Sequence, residues 1–168
     1  MSTQASVATG GAREDRRELA ALLGKALAST YVLYHKTHAY HWNVTGPLFY
    51  SVHKLTDEQY QNLADAVDEI AERIRALGFA TPVGLSSYMS NSIVDDVKGA
   101  PPAAEMLRVL AEDHRAVAAQ FTDIVEIAEK HDDVYTADML TARIGFHEEA
   151  AWMLNAQLAE GEDALPTA

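Results

Sequence analysis

Apolar residues recur at intervals of three and four through four long stretches of this 168-residue chain, and short runs of glycine and proline separate those stretches. The interval matches the 3.6-residue turn of an α-helix, and nowhere does the two-residue alternation of a strand compete with it. In the first stretch Leu19, Leu22, Leu23, Leu27, Tyr31 and Tyr34 make one apolar face, which predicts a helix to about His41 that stops before Thr45-Gly46-Pro47. A second helix is predicted from about Leu48 to Leu77, with Leu63, Val67, Ile70, Ile74 and Leu77 as its stripe and Gly78 as its stop. A long connection follows, from Phe79 to Ala100, in which SSYMSNSIV has room for one short helix. The third helix opens at Pro101-Pro102, where the fixed φ of proline suits a first turn, and carries Leu107, Leu110, Val117, Phe121, Ile124 and Ala128. The fourth begins near Thr136 with Leu140, Ile144, His147, Ala151, Leu154 and Leu158. Two helical pairs with short turns, joined by one long link, predict an all-α four-helix bundle with a long crossover carrying a short extra helix. The length suits a single domain, expected over residues 14–160 between a flexible N-terminal tail (1–13) and a short C-terminal tail (161–168).

The chain has no cysteine, so disulfides, thiolate nucleophiles and cysteine-held zinc or iron–sulfur clusters are all excluded. Any metal must be held by imidazole and carboxylate. The net charge of −12 is unevenly placed. Residues 1–36 hold Arg13, Arg16, Arg17, Lys25 and Lys36 against Glu14, Asp15 and Glu18, whereas the rest holds 8 basic and 22 acidic residues. Such a body repels nucleic acid and attracts cations. No apolar run reaches membrane-spanning length, and the N-terminus shows neither the basic nor the apolar region of a secretory signal, so a cytoplasmic protein is expected.

His53, Asp57, Asp68 and Glu72 on the second predicted helix point within an arc of about 100°, beside its apolar stripe. Two readings follow: a metal-binding edge, or part of a solvated acidic face that Glu58, Asp65 and Glu69 extend. Asp57 and Asp68 are eleven residues apart. On a straight helix that is about 16 Å, far beyond metal–ligand bonds of roughly 2 Å. The chain also has no Glu-x-x-His, the pair from which di-iron sites inside a bundle are built. If both pairs serve one centre, they must come from different subunits. Two copies of the helix, antiparallel about a two-fold axis, would bring His53 and Asp57 of one to Asp68 and Glu72 of the other.

The stretch HWNVTGPLFYSVHKLTDEQYQNLADAVDEIAERIRALG, residues 41–78, resembles the signature of the Dps family, the mini-ferritins or DNA-binding proteins from starved cells. Ligand-type residues fall at His41, His53, Asp57, Asp68 and Glu72, inside HWN-x-x-G-P and D-E-x-A-E-R contexts, and TADMLTARIGFHEEAAWML extends the likeness into the last helix. The resemblance implies a ferritin-like bundle whose ferroxidase centres lie between subunits, in a hollow shell of twelve built from two-fold dimers. It implies Fe(II) as substrate, hydrogen peroxide or dioxygen as oxidant, Fe(III) mineral as product and protection from oxidative stress. It also implies that the tightly held iron is bound chiefly by one acidic pair plus a histidine.

By their chemistry, the imidazoles of His41 and His53 and the carboxylates of Asp57, Asp68 and Glu72 are mixed N/O ligands that suit Fe(II) and stabilise Fe(III), while admitting zinc, manganese or cobalt; a two-metal centre is what the resemblance implies. Trp42 has two readings, a shield or electron donor beside the centre, or interface packing. His35 and His38 are candidates for a secondary metal site or for ordinary hydrogen-bonded histidines, and His147, inside an apolar stripe, is expected to be a satisfied core residue. Asp132, Asp133 and Asp138 stand where the resemblance places an acidic three-fold pore for ions; the competing reading is a helix N-terminus, which favours Asp anyway. Glu58, Asp65 and Glu69 are candidates for facing the hollow interior and nucleating mineral. DNA binding is not carried over, because the tail has no lysine before Lys25 and AEGEDALPTA is acidic. The rivals to a ferroxidase are an architectural DNA-coating helical protein and a zinc-binding assembly without turnover.

Overall fold

The computed structural model describes residues 3–158. It contains α1 (Thr3–Asn43), α2 (Phe49–Ala76), α3 (Leu85–Asn91), α4 (Ala103–Lys130) and α5 (Val134–Ala156), with no strand among the described residues. The pairs α1–α2 and α4–α5 pack along their lengths, α1 lies against α4, and the short α3 sits in the crossover and packs on α1. This is the expected four-helix bundle with an extra helix in the long link.

The stripes meet as their periodicity requires. Leu23, Leu27 and Leu33 of α1, Leu63, Ile70 and Ile74 of α2, Leu107, Leu110 and Phe121 of α4, and Leu140 and Leu154 of α5 are all fully buried. Each such side chain contributes about 1.5–3 kcal/mol on leaving water. Gly78, at φ +96°, stops α2: its N–H donates to the Arg75 carbonyl and that of Phe79 to the Ile74 carbonyl, a paired closure that needs the left-handed conformation glycine adopts freely. At α4 the prolines precede the helix instead of lying inside its first turn. The carbonyl of Pro102 accepts from the N–H groups of Glu105 and Met106.

The helix boundary at the N-terminus differs from expectation. No proline interrupts the chain before Pro47, and α1 includes residues 3–13, which the sequence reading assigns to a tail. The tail expected over 161–168 lies outside the described residues.

Three polar ties set how the elements sit. Lys36 Nζ meets Asp113 Oδ2 at 2.6 Å between α1 and α4, with both side chains largely buried. Arg73 Nη2 reaches both carboxylate oxygens of Asp133 at 2.7 Å, joining α2 to the start of α5. The Ile93 N–H donates to Ser29 Oγ at 3.2 Å and holds the crossover to α1.

Candidate metal centre

The turn between α1 and α2 reverses the chain within a few residues, using Gly46 at φ +88°. That reversal brings the last turn of α1 against the first turns of α2. The rings of His41 and His53 lie face to face, 3.8 Å apart and 19° from parallel. His41 Nδ1 is 2.9 Å from the His53 carbonyl oxygen, and His53 Nδ1 is 2.9 Å from the His41 carbonyl oxygen. A carbonyl only accepts, so each Nδ1 carries the hydrogen and each Nε2 carries the lone pair. That is the tautomer a metal takes, with the ring orientation fixed by the backbone. The His41 carbonyl belongs to the last turn of α1, where no intrahelical donor serves it, so the exchange also satisfies a helix end. His41 is buried and His53 half-buried, which places the pair at the edge of the bundle.

Asp57 follows His53 by one helical turn and is half-exposed. Hydrogen bonds from the Tyr60 hydroxyl, first, and from the Gln61 amide at 3.1 Å hold its carboxyl below the usual carboxylate range, with the nearby His41 adding to the effect. This edge of the bundle thus carries two imidazoles oriented by the backbone and, one turn further along α2, an ionised carboxylate.

Asp68 and Glu72 are both exposed, further along the same helix. The eleven-residue spacing, about 16 Å along α2, keeps them from the histidine pair. Among the described residues no three His, Asp or Glu side chains converge on one point. The histidine pair with Asp57 and the pair Asp68 and Glu72 therefore stand apart on one chain. Of the other acids on α2, Asp65 and Glu69 lie close enough to Arg143 to favour its charge, while burial pulls its pKa down to about 10. Glu58 is exposed.

An aromatic group surrounds the histidine pair. His38 is packed between Trp42, 3.9 Å away, and Tyr60, 4.0 Å away and nearly parallel. Burial, then the neighbouring His41 and His35, push its pKa below the ordinary histidine value. His35 is exposed. Trp42 keeps 61% of its surface open, and Phe49, stacked on His53, and Tyr50 are exposed as well.

Of the three aspartates at the α4–α5 corner, Asp133 has its carboxylate fully engaged. It accepts from Arg73, from the Thr136 N–H at 3.0 Å and from the Thr136 hydroxyl at 2.8 Å, and so caps α5. Burial opposes its charge, but these donors outweigh that and hold the carboxyl below its ordinary range. Asp132 and Asp138 are exposed.

His147 is fully buried, as its stripe predicts, but it is only half satisfied: its Nδ1 lies 2.8 Å from Nδ1 of His114, and the Nε2 atoms of both have no partner among the described residues. His114 was legible as a stripe position, since it follows Leu110 by four residues and precedes Val117 by three.

A family profile described as a ferritin-like domain matches residues 20–164. A DNA protection during starvation protein of Brevibacillus brevis is 33% identical over 140 residues, which cover 83% of this chain and 94% of that protein. An "uncharacterized low temperature-induced protein" of Nostoc sp. is 37% identical over 156 residues, covering 91% and 86%. Among solved structures, a Dps protein from Bacillus brevis superposes with a TM-score of 0.84 at 32% identity, over 87% of this chain and 98% of that one. A Dps protein from Vibrio cholerae, described as belonging to a broad superfamily of ferritin-like diiron-carboxylate proteins, gives a TM-score of 0.84 at 29% identity, over 88% and 92%.

Proposed function

The chain belongs to the Dps proteins of the ferritin-like family, and from that membership and the geometry of α2 we propose that it is an iron-storage mini-ferritin with ferroxidase centres between subunits. His41, His53 and Asp57 supply one side of each centre, and Asp68 and Glu72 of a second copy supply the other. A two-fold axis between antiparallel α2 helices yields two equivalent centres per dimer. Twelve subunits enclose the mineral in this reading.

Ferrous ions are the substrate. The two imidazoles and the ionised carboxylates hold a pair of them, and added carboxylate charge favours the ferric state. Hydrogen peroxide takes one electron from each: two Fe(II), one peroxide and two protons give two Fe(III) and two waters. Peroxide and ferrous iron are consumed together, which removes both ingredients of hydroxyl-radical formation. Dioxygen is the slower oxidant in this reading.

The observation that carries the proposal is the locked tautomer of His41 and His53, two lone pairs aimed by the backbone at the edge of one helix. The exposed Trp42, Phe49 and Tyr50 beside that edge support burial against another copy. The reading places the protein in the cytoplasm, where ferrous iron and peroxide meet; no described helix is long and apolar enough to cross a membrane. The acidic body and the absence of lysine before Lys25 favour little DNA binding at moderate salt. Stopped-flow absorbance of Fe(III) formation with peroxide tests the proposal in the wild type, His53→Ala and Asp68→Ala, with light scattering for assembly size. A wild type that oxidises iron no faster than buffer would overturn it.

A further inference from the structure

The seam between α2 and α5 is looser than the others around the bundle. The pairs α1–α2 and α4–α5 pack along their lengths, whereas α2 and α5 come close at only a few positions. A cavity of about 260 Å³ lies in this seam. Gln59 of α2 lines it, with Leu55, Phe146 and Met153 as apolar walls and Glu58 and Glu149 as acids. Asn62, also in the lining, accepts from Nη1 of Arg143 at 2.5 Å, and the same guanidinium covers the Phe146 ring at 4.4 Å, so this wall is held from behind.

Gln59 is only 3% exposed, yet neither the oxygen nor the nitrogen of its amide has a partner among the described residues. An amide buried in this way is costly, and a leucine would fill the position without that cost. Glu58 and Glu149 are exposed. The cavity therefore grades from one neutral donor and acceptor in the protein, past hydrocarbon, to two negative charges in solvent.

We propose that this cavity binds a small amino alcohol, a hydroxyl and an ammonium joined by a short hydrocarbon chain. The hydroxyl donates to Oε1 of Gln59 and accepts from its Nε2, which are the two bonds the amide lacks. The ammonium stays at the mouth, where Glu58 and Glu149 attract it while it keeps part of its hydration, so no bare charge is buried. The chain between them covers Leu55, Phe146 and Met153. A volume below the roughly 300–1,000 Å³ of drug-sized pockets limits the ligand to a few heavy atoms. A metal ion suits the acids but takes only the amide oxygen and leaves the amide nitrogen unpaired. The site uses none of the residues of the proposed iron centre and does not depend on it.

The test is calorimetric titration of chelator-treated full-length protein with a linear aminobutanol carrying its two groups at opposite ends, with butylamine and with butanediol. The aminobutanol is expected to bind once per chain, about tenfold or more tighter than butylamine, because the amine alone leaves the amide unpaired. Butanediol should also fall behind, since the acids then meet no charge. In Gln59→Leu the aminobutanol and butylamine should bind alike, and the thermal midpoint should hold, because an apolar side chain replaces an unpaired polar one. Glu58→Gln/Glu149→Gln, two exposed substitutions, should weaken both amines and leave butanediol unchanged. Equal binding of aminobutanol and butylamine to the wild type, or binding of neither, overturns the proposal. Mn(II) displacing the aminobutanol mole for mole also overturns it, and would make the acids a metal site instead.

Discussion

His41 and His53 hold one another: each donates its Nδ1 hydrogen to the other's backbone carbonyl oxygen at 2.9 Å. Replacing either with alanine removes a proposed ligand and the stacking of the two rings, but keeps the backbone carbonyl that orients the ring that remains. Groups that orient a metal-bound histidine typically contribute 10–100-fold to affinity or activity. His53→Ala should lose at least about that factor in Fe(II) oxidation, and His41→Ala should match it. The double variant should be distinctly worse than either single one, because each ring keeps its backbone acceptor when the other is removed. Titration calorimetry with Co(II) and stopped-flow oxidation both report on this; a double variant no worse than either single one would show that the two rings act only as a unit.

Separation of the ligands along α2 leads to a complementation test. If one centre uses His53 and Asp57 of one chain with Asp68 and Glu72 of another, His53→Ala and Asp68→Ala subunits repair each other. In a mixed dimer one centre carries both lesions and the other carries none. Random re-pairing makes about half the dimers mixed, so about a quarter of wild-type activity should return from two inactive parents. Co-refolding in equal amounts and measuring Fe(III) formation decides it. No recovery would mean that each chain completes its own centre.

Lys36 and Asp113 give a stability prediction. Burial pushes the Asp113 carboxyl up despite the adjacent Lys36, a sign that the pair is held in a poorly solvated place. Asp113→Ala leaves the ammonium of Lys36 buried and unpaired, which costs about 3–5 kcal/mol. Replacing both, as Lys36→Met with Asp113→Leu, should recover most of that loss. Denaturant midpoints of the three proteins measure both effects, and a double variant as weak as the single one would count against the burial argument.

The helices and the placing of His41 beside His53 at one turn could be read in outline from the chain because both are local. Periodicity located α2 and α4 to within a few residues, and Gly78 marked the end of α2, since each depends on neighbours a few positions away. His41 and His53 were visible as ligand-type residues, but their mutual hydrogen bonds were not, because the turn at Gly46 decides how the two helices face each other. Arg73–Asp133, Lys36–Asp113 and His114–His147 join residues 60, 77 and 33 positions apart. Helical spacing gives each residue a direction around its own axis and leaves open which turn of a partner helix it meets. Asp133 illustrates this: its acidity was plain, and its engagement by Arg73 depends on the docking of α2 against α5.

The buried pair of His114 and His147 predicts how stability changes with pH. Burial, with the Arg143 charge adding to it, lowers the pKa of His114 to about 3. Burial, then His114 and Arg143, lower that of His147 to about 2. With Nδ1 atoms 2.8 Å apart, one must donate and the other accept, so protonating both replaces a hydrogen bond with two facing hydrogens. Unfolding returns both rings to ordinary values near 6.5. Below that pH the unfolded chain therefore binds protons that the folded one refuses. The stabilisation is complete above pH 6.5 and is lost as the pH falls toward the folded values, by up to about 1.4 kcal/mol per pH unit for each ring. From pH 6.5 to pH 5 the two rings together would remove up to about 4 kcal/mol, a large share of the 5–15 kcal/mol that usually holds a domain. Chelator-treated protein should show a steep fall in thermal midpoint over this range. In His114→Leu/His147→Leu the fall should be distinctly shallower, because the buried pair no longer takes up protons on unfolding. Parallel slopes for the two proteins would mean that the buried pair takes up its protons without unfolding.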